Sequence, residues 1–252
     1  MLYEKRILCL IDIRGFKRKI LESISDEKEN IKRTNEIMNL LKYLRKEFDV
    51  DHNYYMKTFN CSKDKAKKLK NTERTTQFSD LTVISYEISK ESALYHIITK
   101  LIFLTAESFK KDLFIRGAIT IGSLYHDEKY IFGPAMNKAY EIEKKKAKFP
   151  RVIIEKNAIY DLLEKDDNEY YYIDYFKVDP NFFDDLEYDL VPYTLDIRRV
   201  IENNLKNEDK KINEKNGCMI KNFNNMLEIR KAEFKEHDEI YDFFDSERAI
   251  VR

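Results

Sequence analysis

Hydrophobic positions along this chain follow two different periods, and the switches between them mark its elements. The unbroken apolar run Ile7-Leu8-Cys9-Leu10-Ile11 ends at Asp12 and turns at Gly15. Such a run predicts a strand buried on both faces. From Lys17 to Asp49 the period lengthens. Ile20 and Leu21, then Leu40, Leu41 and Leu44, recur at helical spacing among charges, and Ser25-Asp26 divides the stretch into two helices. Asp51 to Glu73 is lysine-rich and aperiodic, which predicts a solvated loop. The β-rich flanks around Ser79-Asp80 predict a hairpin from Thr75 to Tyr86 with those two residues at its tip. Leu94, Ile97, Ile98, Leu101, Ile102 and Leu104 give the segment Ser92 to Lys111 the broad apolar face of a helix lying on a sheet.

Leu113 to Leu124 reads as a long central strand, which a turn over His126 to Lys129 returns through Tyr130-Ile131-Phe132. Pro134 suits the first turn of a helix reaching Lys146, which Phe149-Pro150 stops before a strand at Arg151 to Ile154. A short helix (Ala158 to Leu163), an aromatic strand (Tyr170 to Phe176), an acidic loop (Asp179 to Asp189) and a last β-like piece (Val191 to Thr194) follow. From Leu195 onward the chain is helical and highly charged, a packing or dimerising tail. The order β-α-α-β-β-α-β-β-α-β predicts an α+β fold. Its core is a ferredoxin-like, palm-type mixed sheet flanked by helices, with a helical C-terminal extension. No Gly/Ser/Pro-rich linker marks a second domain. The organisation read here is a catalytic domain over 1–194 and an extension over 195–252 packed on the same unit.

Charge narrows the function. Lys plus Arg and Asp plus Glu each number 46 in 252 residues, and this cancellation argues against a protein built to grip nucleic acid. No apolar run approaches the roughly 20 residues needed to span a bilayer, and the N-terminus lacks a cleavable signal pattern. Cys9, Cys61 and Cys218 are scattered and odd in number, as in a cytoplasmic protein with reduced thiols.

The candidate chemistry gathers where the first strand ends. Asp12 stands beside a glycine turn whose backbone N–H groups, from Arg14, Gly15 and Phe16, open a helix N-terminus that favours anions. A carboxylate next to an anion cradle requires a cation between them. Asp80 at the hairpin tip supplies a second hard oxygen donor, a pair suited to Mg²⁺ or Mn²⁺. The main-chain carbonyl of Ile13 could complete a coordination sphere. Arg116 lies mid-strand in an apolar run, where a guanidinium is costly without an anion such as a polyphosphate. Taken singly, Asp12 reads as a helix cap and Arg116 as the partner of a nearby carboxylate. Together in one palm-like order they read as a metal–nucleotide site.

The blocks LIDIRGFK, QFSDLTVISYE and FIRGAITIGSLYHDEKYIFGPAMNKAYEIEKKKAKFPRVII resemble class III nucleotidyl cyclases, and more narrowly the pyrimidine cyclases of the bacterial Pycsar anti-phage system. The resemblance spans roughly residues 5 to 155. It implies two Mg²⁺ or Mn²⁺ ions held by Asp12, Asp80 and the Ile13 carbonyl. A triphosphate would be wrapped by Arg14, Gly15 and Phe16 and contacted by Arg116, and Asn137 would orient the ribose. Thr76 and Tyr130 fall near positions that choose the base. It further implies a head-to-tail homodimer with sites at the interface, and UTP as substrate with CTP second. The chain departs from purine cyclases in carrying Glu141 where they place an arginine, and Thr76 and Tyr130 where they tend to carry lysine and aspartate. Lys138, Lys144 or Lys145 could supply the missing charge. A catalytically degenerate nucleotide-binding or dimerising module is the alternative, with a purine cyclase behind it.

Overall fold

Strand β1 (Glu4–Arg14) lies in the middle of the sheet, and its apolar run Ile7 to Ile11 is buried on both faces. The computed structural model describes residues 3–25, 28–48, 53, 56, 62–88, 93–147, 150–156, 164–165, 171–205, 210–247 and 249–250. Helices α1 (Phe16–Ile24) and α2 (Asn30–Phe48) follow β1, separated near Ser25 as the sequence predicts; Asp26 and Asp49 lie outside the described residues. Next come α3 (Lys63–Thr72), the hairpin β2 (Arg74–Phe78) and β3 (Leu81–Glu87), α4 (Ala93–Phe109) and β4 (Phe114–His126). Then follow β5 (Ile131–Phe132), α5 (Pro134–Lys146), β6 (Val152–Ile154), β7 (Glu164–Lys165) and β8 (Tyr171–Ile173).

The strand order is β2-β3-β1-β4-β6-β8-β7, with β5 paired to β4. Neighbours among β2, β3, β1 and β4 are antiparallel, whereas β4 and β6 are parallel, so the sheet is mixed. The first four strands form two interleaved β-α-β units around the β2–β3 hairpin, the expected ferredoxin-like order. On one face Leu8, Leu10, Val83, Ala118 and Leu124 pack against Ala135 and Ala139 of α5.

Two expectations need correction. Residues 63–72 of the supposed loop are helix α3, with Ser62 Oγ capping Lys65 N–H and Ala66 and Leu69 buried. Only two apolar residues, three apart, touch the core, too few to stand out as a period among five lysines. The supposed β-like piece Val191 to Thr194 is the start of helix α6 (Val191–Leu205). The Asp185 carboxylate accepts from Glu187 N–H and Tyr188 N–H just before it, and Tyr193, Thr194, Ile197, Val200 and Ile201 then bury one helical face. A local β-rich tetrapeptide is overridden by that stripe. The short helix expected over Ala158 to Leu163 lies outside the described residues.

The chain divides into two compact units. One comprises residues 1–104 and 114–173, the other 105–113 and 174–252. The second contains α6, α7 (Lys210–Glu233) and α8 (Asp238–Ser246). Phe109, Tyr193, Phe223, Met226 and Phe244 are buried within it. The Tyr193 hydroxyl donates to the Tyr175 carbonyl (2.8 Å), Arg199 donates to the Phe109 carbonyl (2.9 Å), and Asn224 brackets Ile250 with two hydrogen bonds. Cys9 and Cys218 form no disulfide. No helix is long and apolar enough to cross a membrane among the described residues.

Candidate active site

The site is assembled by strand register. Asp12 on β1 stands opposite Arg116 on β4, and Arg116 Nε–H donates to Asp12 Oδ2 at 2.6 Å. Neither side chain is fully enclosed, with exposures of 19% for Asp12 and 33% for Arg116, so the pair opens to a ligand. The terminal nitrogens of Arg116 have no partner among the described residues. They remain free to bind an anion.

Asp80 arrives from the other side. Ser79 takes a left-handed conformation (φ 56°) in the β2–β3 turn, and Asp80 follows it half-buried. Its carboxyl is held above the usual carboxylate range, first by burial and further by the charge of Asp12 and a hydrogen bond shared with it. Two carboxylates 68 positions apart in sequence thus meet, and the charge of Asp12 raises the cost of ionising Asp80. Two oxygen-donor carboxylates with a single guanidinium, that of Arg116, paired to one of them suit a hard divalent cation. Among the described residues no group of three or more His, Cys, Asp or Glu side chains gathers around one such point.

The turn after β1 takes the form the sequence predicts. Gly15 is left-handed (φ 91°), Phe16 is buried beneath it, and no side chain caps α1. The first-turn N–H groups therefore keep their capacity for an anion. Arg14 is half-buried beside Arg116, and both burial and that neighbouring guanidinium lower its proton affinity. Two cations in such proximity favour a bound polyanion.

Glu143 escaped the sequence reading. It is buried on α5, and its Oε1 lies 2.9 Å from Arg116 Nε. It accepts no hydrogen bond there, because the single Nε proton is aimed at Asp12. Burial raises its proton affinity against the lowering influence of Arg116. A signal did exist, since Glu143 continues the stripe Ala135, Ala139, Glu143 at four-residue intervals on the buried face of α5.

No side-chain hydrogen bond or ion pair joins Ile13, Thr76, Tyr130 or Asn137 to this cluster among the described residues. The side chain of Asn137 is exposed on α5 and makes no hydrogen bond or ion pair with the described residues. Tyr130 is exposed, and its N–H donates to Asp127 Oδ1. Ile13 is buried on β1, opposite Ile115. Of the three lysines offered as charge replacements, Lys138 is paired with Glu155 and Lys145 with Glu141 at 3.1 Å. Lys144 sits over the Tyr140 ring. Thr76 belongs to a polar chain of its own, in which its hydroxyl meets His126 Nε2 at 2.9 Å and His126 Nδ1 meets Ser85 Oγ at 2.8 Å. Ser85 Oγ also accepts from Arg6 Nε at 2.9 Å.

Buried histidines make this unit sensitive to acid. Burial, with Arg6 and Arg74 nearby, pushes His126 down to about 4. Burial, with Lys100 and Lys70, pushes His96 down to about 2. A group depressed on folding stabilises fully above its unfolded value, near 6.5, and loses that contribution as pH falls toward its folded value. Each histidine is therefore expected to cost about 2 kcal/mol between pH 7 and pH 5. Asp80 and Glu143, raised on folding, act in the opposite sense. Urea unfolding of wild type and His126→Gln at both pH values checks this, and the variant should show the flatter dependence.

No family model matches the chain, and no curated protein matches it. Among solved structures it is similar to the crystal structure of the adenylyl cyclase CyaB from P. aeruginosa, at 14% identity and a TM-score of 0.45, covering 68% of this chain and 95% of that one.

Proposed function

We propose that this protein is a nucleotidyl cyclase, closing a nucleoside triphosphate to its 3′,5′-cyclic monophosphate and releasing diphosphate. The observation that carries the proposal is the meeting of Asp12 with Asp80 beside the half-free guanidinium of Arg116. The motif blocks that resemble class III cyclases support it.

Divalent cations held by Asp12, Asp80 and the Ile13 carbonyl would neutralise phosphate charge and make the 3′-hydroxyl more acidic. The chain's own groups do the positioning. The N–H groups at the start of α1 receive phosphate oxygens, and Arg116, aimed by Asp12 and backed by Glu143, pairs with the leaving diphosphate. As the 3′-hydroxyl gives up its proton to solvent and its oxygen bonds to the α-phosphorus, the bridging bond to the β-phosphate breaks and diphosphate leaves. The exposed, unbonded Asn137 suits donation to the ribose of a site on a second copy, so the working assembly is a head-to-tail homodimer. By resemblance the substrate is UTP, with CTP second, and the cyclic product is a signal in bacterial anti-phage defence.

One observation favours a degenerate binding module instead. Glu141 occupies the position of the purine-cyclase arginine and is paired to Lys145. Incubating the purified protein with Mn²⁺ and each of the four common nucleoside triphosphates, followed by mass spectrometry, separates the readings. Cyclic UMP is expected. Cyclic AMP or GMP alone would overturn the pyrimidine assignment, and tight nucleotide binding without product would establish the module.

A further inference from the structure

We infer that Glu143 is a positioning residue for Arg116: its Oε1 is a second acceptor for the single Nε proton, and it takes that hydrogen bond over when the Asp12 carboxylate turns to a cation. The hand-over rests on the cation site of the cyclase reading; the arrangement that permits it does not.

The three groups share one face of the sheet. Leu8 and Leu10 of β1 and Ala118 of β4 pack against α5 on that face. Side chains two residues apart along a strand point the same way, so Asp12 and Arg116 continue those rows. On α5, Ala135 and Ala139 meet the same rows, and Glu143 follows at the next four-residue interval. Strand and helix thus bring two carboxylates to one guanidinium nitrogen. Asp12 Oδ2 lies 2.6 Å from Arg116 Nε, and Glu143 Oε1 lies 2.9 Å from the same atom. Both oxygens are within hydrogen-bonding reach, yet the nitrogen has one proton to give. It goes to Asp12, so the buried Glu143 Oε1 accepts no hydrogen bond among the described residues.

Exposure decides which carboxylate meets a cation from solvent. The Asp12 side chain is 19% exposed and that of Glu143 only 7%. Asp12 also has Asp80 beside it, and Glu143 is held on the far side of Arg116's proton. An Asp12 carboxylate that faced a divalent cation and a guanidinium together would bring like charges close. Releasing Nε–H relieves that repulsion, and the second acceptor is already in place to receive it. A buried acceptor without a donor is costly in the free protein, and the hand-over recovers that cost. The guanidinium therefore keeps its place while Asp12 changes partner, and its terminal nitrogens stay available to an anion.

Side-chain proton–nitrogen NMR of the nucleotide-free protein follows the hand-over as Mg²⁺ is added, with the Arg116 Nε–H signal assigned by its loss in Arg116→Lys. In wild type and in Glu143→Gln, which keeps an acceptor oxygen, the signal should shift and stay protected from exchange with solvent. In Glu143→Leu it should be present before Mg²⁺ is added, which also shows that this variant is folded, and should be lost to exchange as Mg²⁺ rises. With Mn²⁺ and UTP, kcat should fall by about ten- to a hundredfold in Glu143→Leu and by less than about twofold in Glu143→Gln. A signal that responds to Mg²⁺ alike in wild type and Glu143→Leu would overturn the inference, as would its absence from Glu143→Leu before Mg²⁺. Cyclic product from the same wild-type preparation would then leave the cyclase reading standing. The expected signals with no cyclic product from any triphosphate would overturn the cyclase reading and keep the positioning role.

Discussion

Asp12→Ala and Asp80→Ala are each expected to lower cyclic-nucleotide formation by at least about a thousandfold. The two carboxylates converge from different elements, one at the end of a central strand and one at a hairpin tip, and the charge of Asp12 raises the cost of ionising Asp80. Arg116 offsets the charge of Asp12, and a bound divalent cation would offset both carboxylates. The two substitutions should separate in stability. Removing Asp80 relieves a carboxyl whose ionised form is disfavoured by burial and by Asp12, so Asp80→Ala should unfold no more easily than wild type. Removing Asp12 leaves Arg116 without its hydrogen-bonded partner (2.6 Å) and should cost stability. Product analysis by mass spectrometry, run beside thermal unfolding, checks both halves. Near-normal turnover in either variant would remove the two-carboxylate site.

The parts of this arrangement that were legible in sequence are those fixed by short-range patterns. The apolar run before Asp12, the glycine after it and the polar tip between two β-rich flanks each impose one local geometry, and the first four strands then pair as their order requires. What escaped lay where tertiary packing decides. Glu143 sits in a run of charges that reads as a solvated helix face. It is buried because Ala135 and Ala139 bring that face of α5 onto the sheet. His126 reads as the first residue of a turn, yet it ends β4 buried against Ser85 and Thr76. The helical start at Val191 was hidden for a related reason. Its β-branched and aromatic residues favour strands locally, while the Asp185 cap and the stripe from Tyr193 to Ile201 settle the matter at longer range.

Gly117→Ala should be the most damaging single-methyl change in the sheet. Gly117 follows Arg116 on β4 and pairs with Ile11 on β1 and Val152 on β6, hydrogen-bonded on both sides within the central strands. A Cβ there would land on the main-chain carbonyl oxygen of Leu10, well inside contact distance. Backbone at the centre of a sheet cannot yield as a flexible side chain would, so β1 and β4 must move apart. The expected cost is about 3 kcal/mol or more. Because the same separation breaks the register that sets Arg116 opposite Asp12, activity should fall further than the unfolded fraction explains. Gly122→Ala, five residues along the strand, is the internal control. Its added methyl meets Ala135 Cβ at 3.4 Å, an ordinary contact, and should cost less than about 1 kcal/mol. Urea unfolding of both variants, with activity measured where each remains folded, decides whether the close approach of these two backbones is what aligns the site. A Gly117→Ala protein as stable and active as wild type would show that the alignment has another source.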